Sequence, residues 1–374
     1  MRNKTITIFI PNLEGGGAER VIASLANEFV DKGFKVDLLL VNATGPYLRE
    51  IDEKVNIISF GVSKNIYSLI PLISYLRKFR PKVILSTLLM TNIIAVLAKK
   101  MARVNTRVIL REAITASADD QFKKGNFEYL ITHFRKWALK NADMIIAPSH
   151  GVSKDLVKYY GLNPMKVKVI YNPIHVDKCF QFAHEYNEIL YSIPPDKKIV
   201  LAIGRLTGQK DFMTLINAFK KVRLNIDAVL VILGEGNQRK QLELLIDKNN
   251  LNDHVILPGF IVNPFPFLKR AAVFVLSSLY EGMPNSLIQA VVFQKQIVAT
   301  NCPSGPFEIL QGGKFGYLVN MGDDEAMALG IEKGLHGQLE KQPIKNVLEL
   351  YNSNDIANKY LDILLMDLDI DIKS

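Results

Sequence analysis

The segment TITIFIPNLEGGGAERVIASLANEFVDKG, residues 5–33, contains a complete strand–turn–helix pattern. Thr5–Ile10 is rich in β-branched and apolar residues, which favours a strand. Gly15–Gly17 follow, and Ala18–Asp31 then repeats apolar residues at the spacing of one helix face. Gly33 stands where the glycine that ends a helix belongs. The apolar face consists of Ile22, Leu25, Ala26 and Phe29. The segment therefore predicts one strand–helix unit of a parallel sheet.

The same alternation continues through the first half of the chain and starts again at Lys198. In the first half we predict strands at Lys35–Val41, Val83–Leu85, Thr106–Leu110, Asp143–Ala147 and Val167–Tyr171. In the second half we predict them at Lys198–Ile203, Ala228–Leu233, Val255–Leu257, Val273–Leu276 and Ile297–Thr300. Between the halves, Asn172–Lys197 loses the alternation and contains Pro173, Pro194 and Pro195, so we expect a linker there.

This pattern predicts an α/β fold of two Rossmann-like domains that face each other across a cleft. A chain of 374 residues exceeds what one hydrophobic core usually fills, which also favours two domains. We place them at residues 1–172 and 173–353, and we expect the helical stretch 354–370 to pack back on the first domain. Ligands of such folds bind at the carboxyl ends of the strands.

The composition is that of a globular protein, with 48% hydrophobic and 22% charged residues, which excludes a disordered or collagen-like chain. Two cysteines are too few for a disulfide framework or a cysteine-based zinc site. The longest uncharged run, Val83–Ala98, contains several polar residues and falls short of the ~20 apolar residues that span a bilayer. We therefore expect a cytoplasmic protein.

Positive charge is concentrated in residues 64–140, which contain 15 Lys or Arg against 4 Asp or Glu, whereas the net charge of the whole chain is +9. Such a segment favours an anionic partner, namely phospholipid headgroups, a lipid diphosphate or nucleic acid. A merely solvated surface is the alternative. Nucleic acid is not expected, because no nucleic-acid-binding motif is present. We predict peripheral association with the anionic inner face of the cytoplasmic membrane.

The glycine-rich turn Gly15–Arg20 opens the first helix. Free amides at a helix start favour an anion such as a diphosphate, and glycine lets a ligand approach the backbone. The turn is not a dinucleotide-binding fingerprint, because Arg20 stands where its third glycine belongs. This departure also disfavours a Rossmann oxidoreductase. A purely structural turn remains an equal alternative.

Two further loops connect a strand to a helix in the second half. Gly204–Asp211 carries Arg205 and Lys210, two cations suited to a diphosphate leaving group, although such a basic loop is often simply solvated. Tyr280–Gln289 carries Glu281 before a helix and Gln289 in its second turn. One of these side chains could contact a sugar while the other reaches a ribose.

Taken together, these motifs resemble the GT-B glycosyltransferases, specifically glycosyltransferase family 4. The resemblance spans nearly the whole chain, and it is closest to bacterial enzymes that build O-antigen, capsule or lipid-linked oligosaccharides. It rests on Gly15–Arg20, Tyr171–Pro173, Gly204–Phe212, Leu233–Gly236, Pro258–Phe260, Tyr280–Asn285 and Cys302–Ile309.

The resemblance implies a role for each candidate residue. Gly16 and Gly17 would lie beside the donor diphosphate, which Arg205 and Lys210 would neutralise as it leaves. Glu281 would hold hydroxyls of the donor sugar. The remaining donor-site candidates are Gly282, Met283, Pro284, Asn285 and Ser286 for phosphate and sugar, and Gly259 and Phe260 beside the base. The family retains anomeric configuration without a bound metal, so we expect neither a metal nor a cofactor.

Two positions depart from the family pattern. The second acid of the family's Glu-x7-Glu pair is Gln289, and a histidine common in the first domain is absent where the chain reads Arg111-Glu112. We therefore take Arg111 and Glu112 as acceptor-side candidates and Gln289 as the ribose contact. The resemblance implies transfer of a hexose or N-acetylhexosamine from a nucleotide diphosphate sugar, with UDP favoured, to a lipid-diphosphate-linked glycan. Because of Gln289, a catalytically weak binding or scaffold protein of the same pathway is the alternative.

Overall fold

The computed structural model describes residues 5–121 and 126–366, and the side chains of all but residues 126–129 within that range. The chain forms two compact units. The first runs to Pro173 and includes the chain again from Ser353, and the second is Ile174–Asn352. The chain therefore passes from one unit to the other twice.

Within the described residues, each unit contains one sheet whose strands all run parallel. The first sheet consists of β1 Thr5–Ile10, β2 Lys35–Leu40, β3 Asn56–Ser59, β4 Val83–Thr87, β5 Arg107–Arg111, β6 Met144–Ala147 and β7 Val167–Val169. The second consists of β8 Lys198–Ile203, β9 Ala228–Leu233, β10 Val255–Gly259, β11 Val273–Leu276, β12 Gln296–Thr300 and β13 Tyr317–Val319. The short edge strands β3 and β13 were not among the strands predicted from the sequence.

Helices connect these strands and cover the sheets. In chain order they are α1 Gly17–Asp31, α2 Leu69–Phe79, α3 Leu89–Ala102, α4 Ala116–Gln121, α5 Asn126–Asn141, α6 His150–Tyr160, α7 Val176–Phe182, α8 Glu188–Ser192, α9 Phe212–Val222, α10 Arg239–Lys248, α11 Phe265–Arg270, α12 Asn285–Val292, α13 Pro306–Ile309, α14 Asp324–Leu335, α15 Ile344–Tyr351 and α16 Ser353–Leu365. None of the helices in the described residues is long and apolar enough to cross a membrane.

The first sheet is buried on both faces, which explains its nearly continuous apolar strands. Ile6, Ile8 and Ile10 of β1 belong to one core cluster, and Phe9 belongs to the cluster on the opposite face. The first cluster also contains Tyr360 and other side chains of α16. The C-terminal helix therefore completes the core of the first unit, and residues 367–370 of the predicted helix lie outside the described residues.

The order of the strands reverses once in each sheet. The first sheet reads β3-β2-β1-β4-β5-β6-β7, so the reversal lies between β1 and β4. The second reads β10-β9-β8-β11-β12-β13, with the reversal between β8 and β11. At such a point the connections leave in opposite directions and open a crevice at the carboxyl ends of the strands. In the second sheet, the loops after β8 and β11 are those that carry Arg205, Lys210 and Glu281.

Candidate active site

The loops after β8 and β11 are hydrogen-bonded to each other at the switch point of the second sheet. The Gln209 carbonyl accepts from the Leu279 amide at 2.8 Å, and the Gln209 side-chain amide donates to the Tyr280 carbonyl at 2.8 Å. The Ser277 hydroxyl donates to the Lys210 carbonyl at 2.6 Å. These bonds hold the two loops in register although they are far apart in the sequence.

Lys210 and Glu281 form an ion pair at the centre of these loops. Lys210 Nζ lies 2.5 Å from Glu281 Oε1, with 14% and 8% of the two side chains exposed. The Ser278 hydroxyl donates to the same carboxylate oxygen at 2.6 Å. The sequence predicted both charged residues as catalytic, and the structure brings them into direct contact.

Arg205 has quite different surroundings. Its side chain is exposed, and its guanidinium makes no hydrogen bond or ion pair within the described residues. It lies at the end of β8, at the same edge of the sheet as Lys210. The site therefore combines one paired ammonium group with one guanidinium that is available to a ligand.

Close backbone contacts shape this edge of the sheet. A methyl group added at Gly234 would lie 1.9 Å from the Gly204 carbonyl oxygen, and one added at Gly236 would lie 2.3 Å from the Leu206 oxygen. Only glycine allows the loop after β9 to approach the loop after β8 so closely. The sequence motif Leu233–Gly236 thus has a structural explanation.

The predicted base-contacting residues lie at the end of β10. Gly259 has a φ of +91°, in the left-handed region that favours glycine. Phe260 follows it with 40% of its surface exposed. The Glu235–Arg239 ion pair, with Arg239 Nε 2.9 Å from Glu235 Oε2, lies beside Gly259. The exposed ring of Phe260 is thus available for stacking on a planar ligand group.

The loop that leads into α12 is packed against the loop after β12. The Glu281 amide donates to the Pro303 carbonyl at 2.7 Å. A methyl group added at Gly305 would lie 2.7 Å from Pro284 Cδ, so this contact also requires glycine. Gly282, Met283 and Pro284 are buried, whereas Asn285 and Ser286, which begin α12, are partly exposed. The start of α12 is thus the accessible part of this predicted donor-site segment.

Gln289 lies in the second turn of α12, as predicted, and is 7% exposed. Its side-chain amide has no hydrogen-bond partner among residues 5–121 and 126–366. Both polar side-chain atoms of Gln342 are fully buried and have no hydrogen-bond partner within the described chain. The polar side-chain atoms of Gln289 are not enclosed in this way. The amide therefore retains a narrow access to solvent, and a ligand could supply its partner.

Gly16 and Gly17 belong to the first unit, at the switch point between β1 and β4. Gly16 precedes α1 in extended conformation, and Gly17 is the first residue of the helix. A methyl group added at Gly16 would lie 2.2 Å from Glu19 Oε2. A carboxylate of the chain itself thus lies against the start of α1, where an anion is favoured.

The acceptor-side candidates are held by internal bonds of the first unit. Arg111 is 1% exposed and donates to Asn172 Oδ1 at 2.6 Å and to the Tyr360 hydroxyl at 3.2 Å. Glu112 is 3% exposed and pairs with Arg135, Oε2 to Nη2, at 2.6 Å. The structure supports a structural role for both, and their contact with an acceptor stays a prediction.

Several residues of the site were not predicted from the sequence. The charged pair or its loops are held by Gln209, Ser277, Ser278 and Thr300, which are polar residue types common in loops and at strand ends. Their only signal is position, because β11 and β12 end at the same edge of the sheet as β8. Burial and the nearby Glu281 carboxylate raise the pKa of the Cys302 thiol, also in this region, to about 12, which disfavours the reactive thiolate.

No group of three or more His, Cys, Asp or Glu side chains in the described part of the chain is placed to hold a metal ion. The predicted independence of a metal is not tested by this observation, and it stays a prediction.

Two α/β units, each with one parallel sheet, are the architecture of the GT-B glycosyltransferases. A family model for Glycosyltransferase Family 4 matches residues 15–178, and one for Glycosyl transferases group 1 matches residues 190–349. A Campylobacter jejuni relative, N-acetylgalactosamine-N,N'-diacetylbacillosaminyl-diphospho-undecaprenol 4-alpha-N-acetylgalactosaminyltransferase, is 32% identical over 91% of this chain and 92% of its own length. The chain therefore belongs to these glycosyltransferases.

Other similar proteins agree with this assignment. The amylovoran biosynthesis glycosyltransferase AmsD of Erwinia amylovora is 25% identical over 83% of this chain and 84% of its own length. A glycosyltransferase structure from Rickettsia africae matches 99% of this chain and 100% of its own with a TM-score of 0.76 at 19% identity. Anabaena HepE in complex with UDP and glucose matches 96% of this chain and 99% of its own with a TM-score of 0.78 at 15% identity. The predicted family and fold class are confirmed.

Proposed function

We propose that the protein transfers a hexose or N-acetylhexosamine from a UDP-sugar to a lipid-diphosphate-linked glycan, with retention of anomeric configuration, in surface polysaccharide biosynthesis. The observation that carries this proposal is the Lys210–Glu281 pair at the switch point of the second sheet, with the exposed Arg205 at the same edge. Such a site offers cations for a phosphate group and a carboxylate for hydroxyl groups.

The two cations suit the leaving group of the reaction. When the bond between sugar and diphosphate breaks, negative charge grows on the phosphate oxygens. Arg205 can offer two parallel donors to one phosphate, and the Lys210 ammonium group can act as a point charge beside it. Because the Lys210 ammonium group is held by Glu281 before the reaction, it stabilises the new charge with little reorganisation.

Glu281 is suited to orienting the sugar. A carboxylate accepts hydrogen bonds from sugar hydroxyls, and its own position is fixed by Lys210 and Ser278. In the proposed reaction the acceptor hydroxyl attacks from the face that the diphosphate leaves, and a phosphate oxygen takes its proton. This route explains retention without a protein nucleophile and without a metal ion.

UDP as the nucleotide is supported by HepE, which was solved with UDP and with UDP-glucose. The lipid-linked acceptor is supported by the Campylobacter relative, whose name specifies a diphospho-undecaprenol substrate. A surface-polysaccharide pathway is supported by AmsD and by two relatives from Rhizobium meliloti that act in lipopolysaccharide core biosynthesis. A lipid-linked acceptor would also place the enzyme at a membrane, which agrees with the basic segment 64–140.

A panel assay tests this proposal. The purified protein is incubated with UDP-, GDP- and dTDP-sugars and a short-chain polyprenyl-diphosphate glycan, and the products are analysed by mass spectrometry. Nuclear magnetic resonance then gives the anomeric configuration of the new linkage, and an arm with EDTA tests the need for a metal. We expect transfer from one UDP-sugar, an α-linked product and no effect of EDTA. An inverted linkage would contradict the mechanism, and a GDP-sugar donor would contradict the nucleotide.

The alternative function, a scaffold that binds without catalysis, is favoured by one observation, namely Gln289 in place of the family's acid. Donor hydrolysis separates the two functions. A transferase hydrolyses its donor slowly in the absence of acceptor, whereas a scaffold binds UDP-sugar and leaves it intact.

A further inference from the structure

Two consecutive serines follow β11 at the switch point of the second sheet. Ser277 is 1% exposed and Ser278 is fully buried. Adjacent residues at a strand end point to opposite sides. The two hydroxyl groups consequently reach different members of the site.

Ser278 contacts the carboxylate. Its hydroxyl donates to Glu281 Oε1 at 2.6 Å, the oxygen that also accepts from Lys210 Nζ at 2.5 Å. The Ser278 carbonyl in turn accepts from the buried Thr300 hydroxyl at 2.6 Å, at the end of β12. Ser278 is therefore anchored to the neighbouring strand, and its hydroxyl group holds one carboxylate oxygen of Glu281.

Ser277 contacts the residue that carries the ammonium group. Its hydroxyl donates to the Lys210 carbonyl at 2.6 Å. The Lys210 side chain then lies over Gly204, where an added methyl group would be 3.0 Å from Cε and 3.1 Å from Cδ. The backbone and the aliphatic part of Lys210 are thus both confined before its ammonium group reaches Glu281.

We infer that Ser277 and Ser278 are positioning residues for the transfer reaction, each holding one member of the Lys210–Glu281 pair. The inference rests on the proposed function. A hydroxyl group on each side fixes the charged pair in one geometry, so the ammonium group and the carboxylate need not be ordered when the donor binds.

Substitution of each serine tests the inference. Ser278→Ala removes a hydrogen bond to a charged group, and we expect kcat to fall about 10- to 100-fold while the acceptor KM changes little. Ser277→Ala loses a bond to a neutral carbonyl, and we expect a fall of about 2- to 10-fold. Ser68→Ala, which removes another buried hydroxyl group in the other unit of the chain, is the matched control and should leave kcat unchanged.

Double substitutions distinguish positioning from a general structural role. In a Glu281→Gln background, Ser278→Ala should lower the residual kcat by less than about threefold, because its partner has already lost its charge. Ser278→Thr keeps the hydroxyl group and should recover most of the activity. If Ser278→Ala alone retains wild-type kcat, or if its full effect persists beside Glu281→Gln, the positioning role is wrong.

A variant that fails to fold is recognised by thermal melting, and Thr300→Val then takes its place. This substitution removes the anchor of Ser278 and leaves the Ser278 side chain intact, so a positioning role requires a smaller but measurable loss of kcat. Full activity of Thr300→Val would overturn the inference. Wild-type protein in the same assay tests the proposed function itself: an inactive wild type overturns both proposals, whereas an active wild type with fully active serine variants overturns only this one.

Discussion

Arg205 and Lys210 lie in the same loop, but their side chains have very different surroundings. Lys210 is partly exposed, pairs with Glu281 and lies over Gly204, whereas Arg205 is exposed. Lys210 thus has a structural partner as well as a proposed ligand, and Arg205 has only the proposed ligand. Their substitution should therefore affect stability differently even where it affects catalysis alike.

We predict that Arg205→Ala and Lys210→Ala each lower kcat/KM about 30- to 1,000-fold. Each removes a contact to a group that gains charge as the bond breaks, on the order of 2–4 kcal/mol. Lys210→Ala should also lower the melting temperature, because the buried Glu281 carboxylate loses its counter-charge. Steady-state kinetics and thermal melting measure both effects. The exposed Lys240→Ala is the control, and wild-type turnover in both variants would place the diphosphate elsewhere.

Gln289 permits a prediction about the donor. A hydrogen bond to a charged group is worth roughly 1.5–3 kcal/mol against about 0.5–1.5 for a neutral one. If the amide bonds the ribose hydroxyls, Gln289→Glu should lower the donor KM by up to about tenfold with little change in kcat. Gln289→Ala should raise the donor KM. Donor titrations of the three proteins measure this.

Each outcome for Gln289 has a distinct meaning. If glutamate weakens donor binding, the side chain does not face the ribose. If the wild type is inert with its donor and Gln289→Glu becomes active, the scaffold function is correct.

The charged members of the site were predictable from the sequence, whereas the residues that hold them were not. Arg205, Lys210 and Glu281 were predicted because they lie in strand–helix loops whose motifs resemble those of glycosyltransferase family 4. Ser277 and Ser278 follow a buried strand as well, but their partners become apparent only when β8 and β11 are known to be neighbours. Strand order is set by packing of the whole sheet and leaves no local pattern.

At the scale of single elements, the central strands were predicted well and the edge strands were missed. β1, β8 and β9 are long, apolar and buried, so their patterns are strong. β3 is mostly exposed and β13 has three residues. A short strand at the edge of a sheet needs few apolar residues to stay in place. Short and polar edge strands also keep sheets of different molecules from pairing.

The helices of the basic segment require a revision of the predicted membrane contact. Arg135 belongs to the basic segment 64–140, but it is 2% exposed and pairs with Glu112, Asp119 and Asp120. Its buried side chain cannot reach a lipid surface. Lys123 and Lys124 lie outside the described residues. Exposed cations of this segment include Arg77 and Lys78 on α2 and Arg80 directly after it. Lys136 and Lys140 are exposed on α5.

We predict that the fourfold charge reversal of Lys78, Arg80, Lys136 and Lys140 to glutamate weakens binding to vesicles that contain anionic lipid. Each cation near the surface contributes at most ~1 kcal/mol, and the attraction fades within a Debye length, so wild-type binding should also fall with salt. Vesicle co-sedimentation at several salt concentrations measures this.

The matched control reverses four exposed lysines of the second unit, Lys220, Lys240, Lys248 and Lys345. Equal loss of vesicle binding in both variants would mean that binding depends on the net charge of the protein and not on α2 and α5. Unchanged binding after the first reversal would exclude α2 and α5 as the contact.

At the scale of the whole molecule, the partly buried Lys295 links stability to pH. Burial and the nearby Lys341 lower the pKa of Lys295 to about 8. In the unfolded chain the group titrates near its usual value of about 10.4, so between these values the unfolded state binds more protons. Lys295 therefore makes the free energy of unfolding rise with pH between about 8 and 10.4. Below pH 8 its charged, partly buried ammonium group lowers the free energy of unfolding.

We predict that the melting temperature of Lys295→Met relative to the wild type is highest near pH 7 and falls towards pH 10, because only the wild type contains the titrating ammonium group. Melting curves of the variant and the wild type at matched pH values measure it, because other titrating groups then cancel. Lys345→Met, at an exposed position, should show no such pH dependence. A difference that stays constant with pH would contradict the titration of Lys295 in the folded state.

The architecture of the whole molecule was largely predictable, because strand–helix alternation over 374 residues allows few arrangements. The path of the chain was harder to predict. Arg111 was taken from the sequence as an acceptor contact, yet it bonds Asn172, just before the chain leaves the first unit, and Tyr360, just after it returns. Only the folded chain brings these two distant segments together.

The return of α16 to the first unit has a consequence for the order of events during synthesis. The ribosome completes the entire second unit, Ile174–Asn352, before it produces α16. Until then the surface of the first unit that Ile356, Tyr360 and Leu364 will cover stays open to the cell, and Arg111 lacks its tyrosine partner. The first unit therefore cannot reach its final state before α16 has been made, and a nascent chain stalled before Ser353 would present an unfinished hydrophobic surface to chaperones.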